Sequence, residues 1–366
     1  MKIIGVGDIM PGGILNGTDK AFISEDLLSV LRSGDIRVGT LETAIGDKPS
    51  FYDEKMKRKA DVIYAMDKDM KRLVDMGIDI VSLANNHFFD LGPAGAEHTV
   101  SLLDSLGIKH CGAGRNIEEA SAPAYATVNG KTVAFLAFCD FREITTGWCP
   151  FASENAPGVN PLKDDYVISE IKKYRSSCDY LVVLPHWGIE YWQSPAHFVY
   201  KLSKKMIKAG ADLVLGSHPH CIQPVMKFRG KHIIFSMGNF LFPDRLLAPP
   251  RSTYYSEIPI NTADLPVTDG YPKHVESITY KIWKKLARYG MIASVELNGQ
   301  SQFLQTEYNH LTTDNALEKI HFSDVEKYRK LKREQAIVNS GLYTTIDFAK
   351  RLRNTILGRA YNLTTK

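Results

Sequence analysis

The sequence predicts an α/β domain with helices covering the faces of a sheet. Three observations lead there. Short β-branched apolar runs alternate with amphipathic segments. Most of these runs end in a polar or acidic residue. No run approaches the ~18 uninterrupted apolar residues of a membrane span.

The elements follow in order. KIIGVGD is a buried strand that delivers Asp8 to its carboxyl end, and SEDLLSVLRSGD is a helix with Ser24 as its cap. IRVGTLET is a second strand ending at Glu42, and DKDMKRLVDMGI is helical. DIVSLANNHFFDLG is a third strand running into a polar turn, followed by the helix AGAEHTVSLLDSLGI. KTVAFLAFCD is a strand, and the stretch from Phe141 to Pro161 is a loop. DDYVISEIKKYRSSC is a helix, and DYLVVLPHWGIEYW holds a buried strand ending at His186. HFVYKLSKKMIKAGA is a helix, DLVLGSHPH and KHIIFSMGNFLF are strands, and ASVELNG with SQFLQTEYNHL closes as a hairpin. Residues 243–288 read as a long insertion near the site, rich in proline and tyrosine over its first part. Residues 315–366 read as helical, with Phe348, Leu352, Ile356 and Ala360 as a stripe that packs on the core. The expected organisation is one domain over 1–312 and a basic helical extension over 313–366.

Bulk properties narrow the class. The 366 residues are 44% hydrophobic and 23% charged, the profile of a soluble globular chain. Five cysteines without CxxC spacing favour reduced thiols over a disulfide framework. With no signal peptide or anchor read at the N-terminus, a cytoplasmic location is expected. Residues 273–366 carry 16 Lys and Arg against nine Asp and Glu, a net of +7 against −3 for residues 1–272. Such a basic part suits a partner or peripheral contact with an anionic membrane, although solvated basic helix faces are common. No basic-aromatic strip adjoins the polar strand ends, so nucleic acid is not an expected partner.

Six residues stand at or just after strand ends: Asp8, Glu42, Asn86, His186, His218 and His220. Ligands bind at that edge in open α/β sheets. Each has an ordinary alternative, since aspartates cap helices, Asn-Asn pairs make turns and lone histidines bind carbonyls. Together they form a set of carboxylate, amide and imidazole donors suited to Mn²⁺, Fe²⁺ or Zn²⁺, one ion or two. Glu42 is the candidate bridge, because bridging two ions takes a carboxylate. The absence of a cysteine motif argues against a structural zinc site.

The segments VGDIM, LETAIG, SLANNHFFDLG, HWGIEY, GADLVLGSHPHCIQPV and IIFSMGNFLF resemble, in order, the CapA family of capsule and poly-γ-glutamate synthesis proteins. That family is similar in fold to the calcineurin-like metallophosphoesterases. The resemblance implies a layered sandwich of two mixed β-sheets flanked by helices. It implies metal ligands at the same six residues and His87 as the proton donor to a leaving group. Met10 stands where phosphoesterases carry a histidine, and a thioether is a poor ligand for these ions. Asp90 is expected to orient a site imidazole or to cap a turn. Trp187, Glu190, Tyr191, Asn239 and Arg245 are expected to line the substrate cleft, with core packing as the alternative for Trp187.

The expected function is therefore a metal-dependent hydrolase of a phosphate ester or related anionic linkage in capsule or polymer synthesis. The alternative is a non-catalytic metal-binding subunit that recognises an anionic polymer alongside capsule-synthesis proteins. Amide chemistry on a glutamate polymer is a third reading, since activated water also attacks carbonyls.

Overall fold

The computed structural model describes residues 1–15, 22–46, 62–140, 149–249, 253–255, 262–270, 272, 275–299, 301–321, 328–340 and 343. Two mixed sheets dominate. The first has eight strands, running Leu317–Ile320, Ser301–Leu311, Tyr289–Asn298, Lys2–Ile9, Ile36–Leu41, Ile80–Ser82 and Lys109–Cys111, with Asn239–Leu241 added beside the end of Lys2–Ile9. The second has six, running Val225–Phe228, Lys231–Ile234, Leu213–Leu215, Tyr180–His186, Lys131–Cys139 and Ala124–Val128. In the first sheet Lys2–Ile9 and the strands out to Lys109–Cys111 are parallel and the other side is antiparallel, whereas the second has a parallel centre with an antiparallel strand at each edge. Their parallel strands therefore end on a common side, and the ligand candidates stand there.

Period-two alternation assigns the faces of the second sheet. Phe135, Val182, Leu184, Leu213 and Leu215 join the main core shared with the first sheet. Leu136, Phe138, Leu181, Val183 and Val214 turn the other way, into a second core with Val167 and Ile171 of helix Asp164–Tyr174 and Leu202 and Met206 of helix His197–Ala209. Helix Asp164–Tyr174 places acids in its first turn and lysines in its last, which complements its dipole. Ser24 does occupy the N-cap of helix Glu25–Arg32, but its side chain makes no capping hydrogen bond.

One close approach fixes the strand beneath the site. A Cβ on Gly7 would lie 1.8 Å from the Gly238 carbonyl oxygen, and Asp8 N–H donates to that same oxygen at 3.0 Å. Gly7→Ala must push Asn239–Leu241 away from Lys2–Ile9. The expected loss is about 3 kcal/mol, read as a lower urea midpoint.

One expectation changes on meeting the structure. Residues 317–320, read as helix, form the edge strand of the first sheet, paired to Ser301–Leu311. Within the expected insertion, Arg245–Ala248, Thr253–Tyr255, Val267–Thr268 and Thr279–Lys281 make a small four-stranded sheet. Asp244 roots it, accepting hydrogen bonds from Trp283 N–H at 2.9 Å, Tyr280 O–H at 3.0 Å and both carboxyl oxygens from Arg288 at 2.6 and 2.7 Å. The stripe from Phe348 to Ala360 lies outside the described residues. Helix Tyr328–Asn339 does dock on the body, where Gln335 accepts from Val225 N–H at the edge of the second sheet. Among the described residues no helix is long and apolar enough to cross a membrane.

Candidate metal centre

The two sheets bring their carboxyl ends together, and five of the six strand-end candidates meet there as two groups of ligand atoms. Asp8, Glu42 and His220 form one; Glu42, His186 and His218 form the other, with the atoms of each group within 4.8 Å of one another. Glu42 belongs to both, which is the position the sequence reading gave it. All five residues are buried. Asn86, the sixth, places Oδ1 2.9 Å from His186 Nε2.

Separations within the second group suit a shared ion. His186 Nε2 lies 3.1 Å from His218 Nδ1 and 3.6 Å from Glu42 Oε1. Two donors each ~2.1 Å from one ion, set at right angles or tetrahedrally, stand about 2.9–3.5 Å apart. In the first group His220 Nε2 is 3.5 Å from Glu42 Oε1 and its Nδ1 is 3.7 Å from Asp8 Oδ2. The donor set passes a second test. Asp8 Oδ1 and both Glu42 oxygens are buried without a hydrogen-bond partner, an arrangement a fold tolerates where a cation takes up the charge.

Electrostatics agree. Burial raises Glu42 well above its ordinary value, reinforced by the negative charges of Asp8 and Glu190, while Arg245 opposes the shift. Burial pushes Asp8 up to about 7, against the His218 N–H and the Ser217 hydroxyl, which favour its ionised form. Burial likewise holds His186 and His220 well below the usual imidazole range, and His218 below it. Neutral imidazoles are what a metal needs.

Backbone shape supports the histidine turn. His218 and His220 have φ of 95° and 51°, left-handed values that L-residues seldom adopt, and His218 N–H donates to Asp8 Oδ2 at 3.2 Å. Such a conformation is maintained where surrounding contacts hold it. Here that includes the Tyr191 N–H, which donates to the Pro219 carbonyl at 2.8 Å.

The neighbours divide. Asn85 takes the turn-forming role, donating to Leu41 O at 2.8 Å and accepting from His87 N–H at 2.9 Å, which leaves Asn86 to face the histidines. Asp90 Oδ2 lies 2.7 Å from His87 Nδ1 and also accepts from Ile63 N–H at 2.6 Å, so it orients an imidazole as expected. Asn239 does the same for His220: its amide N–H donates to Ala287 O at 2.9 Å, which turns Oδ1 toward His220 Nδ1 at 2.8 Å. It braces a ligand instead of lining the cleft.

Trp187 is a correction. It is 0% exposed in the second core, with its indole N–H donating to Phe235 O at 2.9 Å. Alternation explains this: His186 continues the face of Val182 and Leu184, so the next side chain turns to the helices. Arg245 is only 1% exposed, with its guanidinium 5.1 Å from the Trp283 ring and 5.6 Å from that of Phe242. It acts as a fixed charge beside the carboxylates, out of reach of a large substrate. Glu190 and Tyr191 are half-buried at the rim, where the Lys284 ammonium lies 4.5 Å from the Tyr191 ring centre.

Met10 is buried in the main core, and the Asp8–Glu42–His220 group is assembled without it. Sequence reasoning missed Trp283, whose ring lies 5.0 Å from that of His220, and the Ser217–Thr40 pair discussed below. A cavity of about 560 Å³ lined by Phe88, Phe89, Ala96 and Val100 contains none of the ligand set.

A strand-end cluster of carboxylates and imidazoles in an α/β fold offers the donor types that a divalent metal ion takes. The chain belongs to the family described as bacterial capsule synthesis protein PGA_cap, whose model matches residues 2–244. It is 32% identical over 244 residues to the PGA biosynthesis protein CapA of Bacillus subtilis, covering 65% of this chain and 62% of that one. It is 31% identical over 248 residues to the capsule biosynthesis protein CapA of Bacillus anthracis, covering 65% and 58%. The matches thus span less than two thirds of either relative. Among solved structures, the calcineurin-like phosphoesterase YfkN of Bacillus subtilis aligns at a TM-score of 0.44 and 13% identity, over 92% of this chain and 98% of that one. The family assignment stands on the sequence match.

Proposed function

We propose that this chain is a metal-dependent hydrolase of a phosphate ester or related anionic linkage, acting in capsule or polyglutamate synthesis. The observation that carries the proposal is the pair of ligand groups sharing Glu42. Asp8, Glu42 and His220 would hold one ion, and Glu42, His186, His218 and Asn86 the other, with Mn, Fe or Zn suited to the donors. Such ions supply a water activated near neutral pH and polarise a phosphoryl oxygen. His87, held through Nδ1 by Asp90, presents its other nitrogen to deliver a proton to the departing alkoxide. Arg245 offsets negative charge beside Glu42. Glu190, Tyr191 and Lys284 form the rim that an anionic small molecule or polymer end would cross.

A second reading is a non-catalytic subunit that binds an anionic polymer beside other capsule-synthesis proteins. It draws on a relative from Mycobacterium tuberculosis, 28% identical over 215 residues, named a probable polyglutamine synthesis accessory protein. Elemental analysis of untagged protein separates the possibilities. The expected content is about two equivalents of Mn, Fe or Zn, falling in His218→Ala. A chain that holds no metal, and takes up neither Mn²⁺ nor Zn²⁺, would sink the hydrolase reading.

A further inference from the structure

We infer that Ser217 is a positioning residue for both metal groups, fixing the His186 tautomer and keeping Asp8 free for its own ion. This rests on the metal reading of the site. Ser217 sits after strand Leu213–Leu215 of the second sheet and is 2% exposed. Its backbone is pinned on both sides: its N–H donates to Pro185 O at 3.1 Å, and its carbonyl accepts from Trp187 N–H at 3.1 Å. The side chain has little freedom left.

Three polar groups surround its hydroxyl. Thr40 Oγ1, from the first sheet and in register with Asp8, donates to Ser217 Oγ at 3.0 Å. His186 Nδ1 lies 2.9 Å from the same oxygen. For Nε2 to serve as a ligand, Nδ1 must carry the imidazole proton, and that proton then goes to Ser217 Oγ. With two donors arriving, the oxygen is filled and the hydroxyl's own hydrogen remains for Asp8. Two acceptors compete for the His186 proton: Asp8 Oδ1, 3.8 Å from Nδ1, and Asn86 Oδ1, 2.9 Å from Nε2, which draws the proton to Nε2 until an ion takes that nitrogen. Without the hydroxyl, a small ring rotation lets His186 pair with Asp8. That single change takes a ligand from one group and misdirects a ligand of the other.

The test has two readouts on the full chain. Nitrogen-15 NMR of the imidazoles, recorded with and without Zn²⁺, reports the tautomer. Chelator competition with Zn²⁺ reports affinity. The Zn²⁺-loaded parent is expected to carry the His186 proton on Nδ1. Ser217→Ala is expected to show a mixed tautomer and bind Zn²⁺ about 10–100-fold more weakly. Thr40→Val keeps the shape of its side chain and removes the donor to Ser217, so it moves both readouts the same way, by up to about 10-fold in affinity. It carries the test if Ser217→Ala fails to fold. Parent-like tautomer and affinity in whichever variant folds would overturn the inference. A parent that takes up no Zn²⁺, with the tautomer still shifting in Ser217→Ala, leaves the hydroxyl's role standing and defeats the metal reading.

Discussion

Replacing Glu42 by glutamine abolishes uptake of both ions and flattens the fall in metal-free stability that the parent shows above about pH 6.5. Glu42 is common to both ligand groups, with Oε1 3.6 Å from His186 Nε2 and 3.5 Å from His220 Nε2, and an amide offers a neutral oxygen there where a charged one is needed. In metal-free protein, burial raises Asp8 to about 7 and Glu42 well above its ordinary value. A carboxyl raised in this way contributes stability at low pH, and that contribution is lost as pH rises through its folded value. The three buried imidazoles are depressed, so their contribution is complete above the ordinary value of 6.5 and is lost on acidification. These five groups together therefore give maximum stability near pH 6.5, with a decline on the alkaline side that comes from the carboxyls. Removing Glu42 removes most of that decline. Bound ions reverse the carboxyl contribution, because their ligands must be deprotonated. Below about pH 7, uptake displaces protons from Asp8 and Glu42 and tightens by up to about 100-fold per pH unit. Thermal unfolding with and without Mn²⁺ across this range, with calorimetry in two buffers, measures both slopes. Unchanged uptake in Glu42→Gln, or uptake indifferent to pH, would contradict the shared-ligand geometry.

If the chain is the hydrolase proposed above, His87→Ala lowers phosphoesterase turnover by about 10²–10⁴-fold with ion content unchanged. His87 belongs to neither ligand group, and its Nδ1 is committed to Asp90 at 2.7 Å. Its loss therefore separates proton delivery from metal binding. Asp90→Asn gives a smaller loss, about 10-fold, together with some instability, because Asp90 also accepts the Ile63 N–H. Single-turnover rates on an aryl phosphate and on an alkyl phosphate distinguish the mechanism. The alkyl ester, with its poorer leaving group, must suffer more. Equal losses on both would remove His87 from the proton-donor role.

Much of this site is legible in the sequence because strands entering a buried edge must end somewhere, and apolar runs that end on Asp8, Glu42, His186 or His218 mark where. Alternation was equally available for Trp187, since Val182 and Leu184 already set the parity of His186. A residue beside a ligand histidine looks like a cleft residue only if that parity is ignored. Ser217 and Thr40 were not legible. A lone hydroxyl in a Gly-Ser-His turn has no pattern, and its partner lies 177 residues away. Residues 317–320 escaped because four residues are too few to show a period, and their strand identity comes from the Ser301–Leu311 edge they complete.

The first sheet has a bearing on how the molecule is made. Its central strand Lys2–Ile9 pairs with Tyr289–Asn298 and, at Asp8, with Asn239. Asp8 leaves the ribosome long before Asn239–Leu241 and Tyr289–Asn298, the strands that pair beside it. The second sheet is drawn wholly from residues 124–234 and can assemble earlier. Closure of the candidate site therefore waits on Tyr289–Asn298. A truncated product of stalled translation would display His186, His218 and His220 without the closed first sheet that presents Asp8 to them.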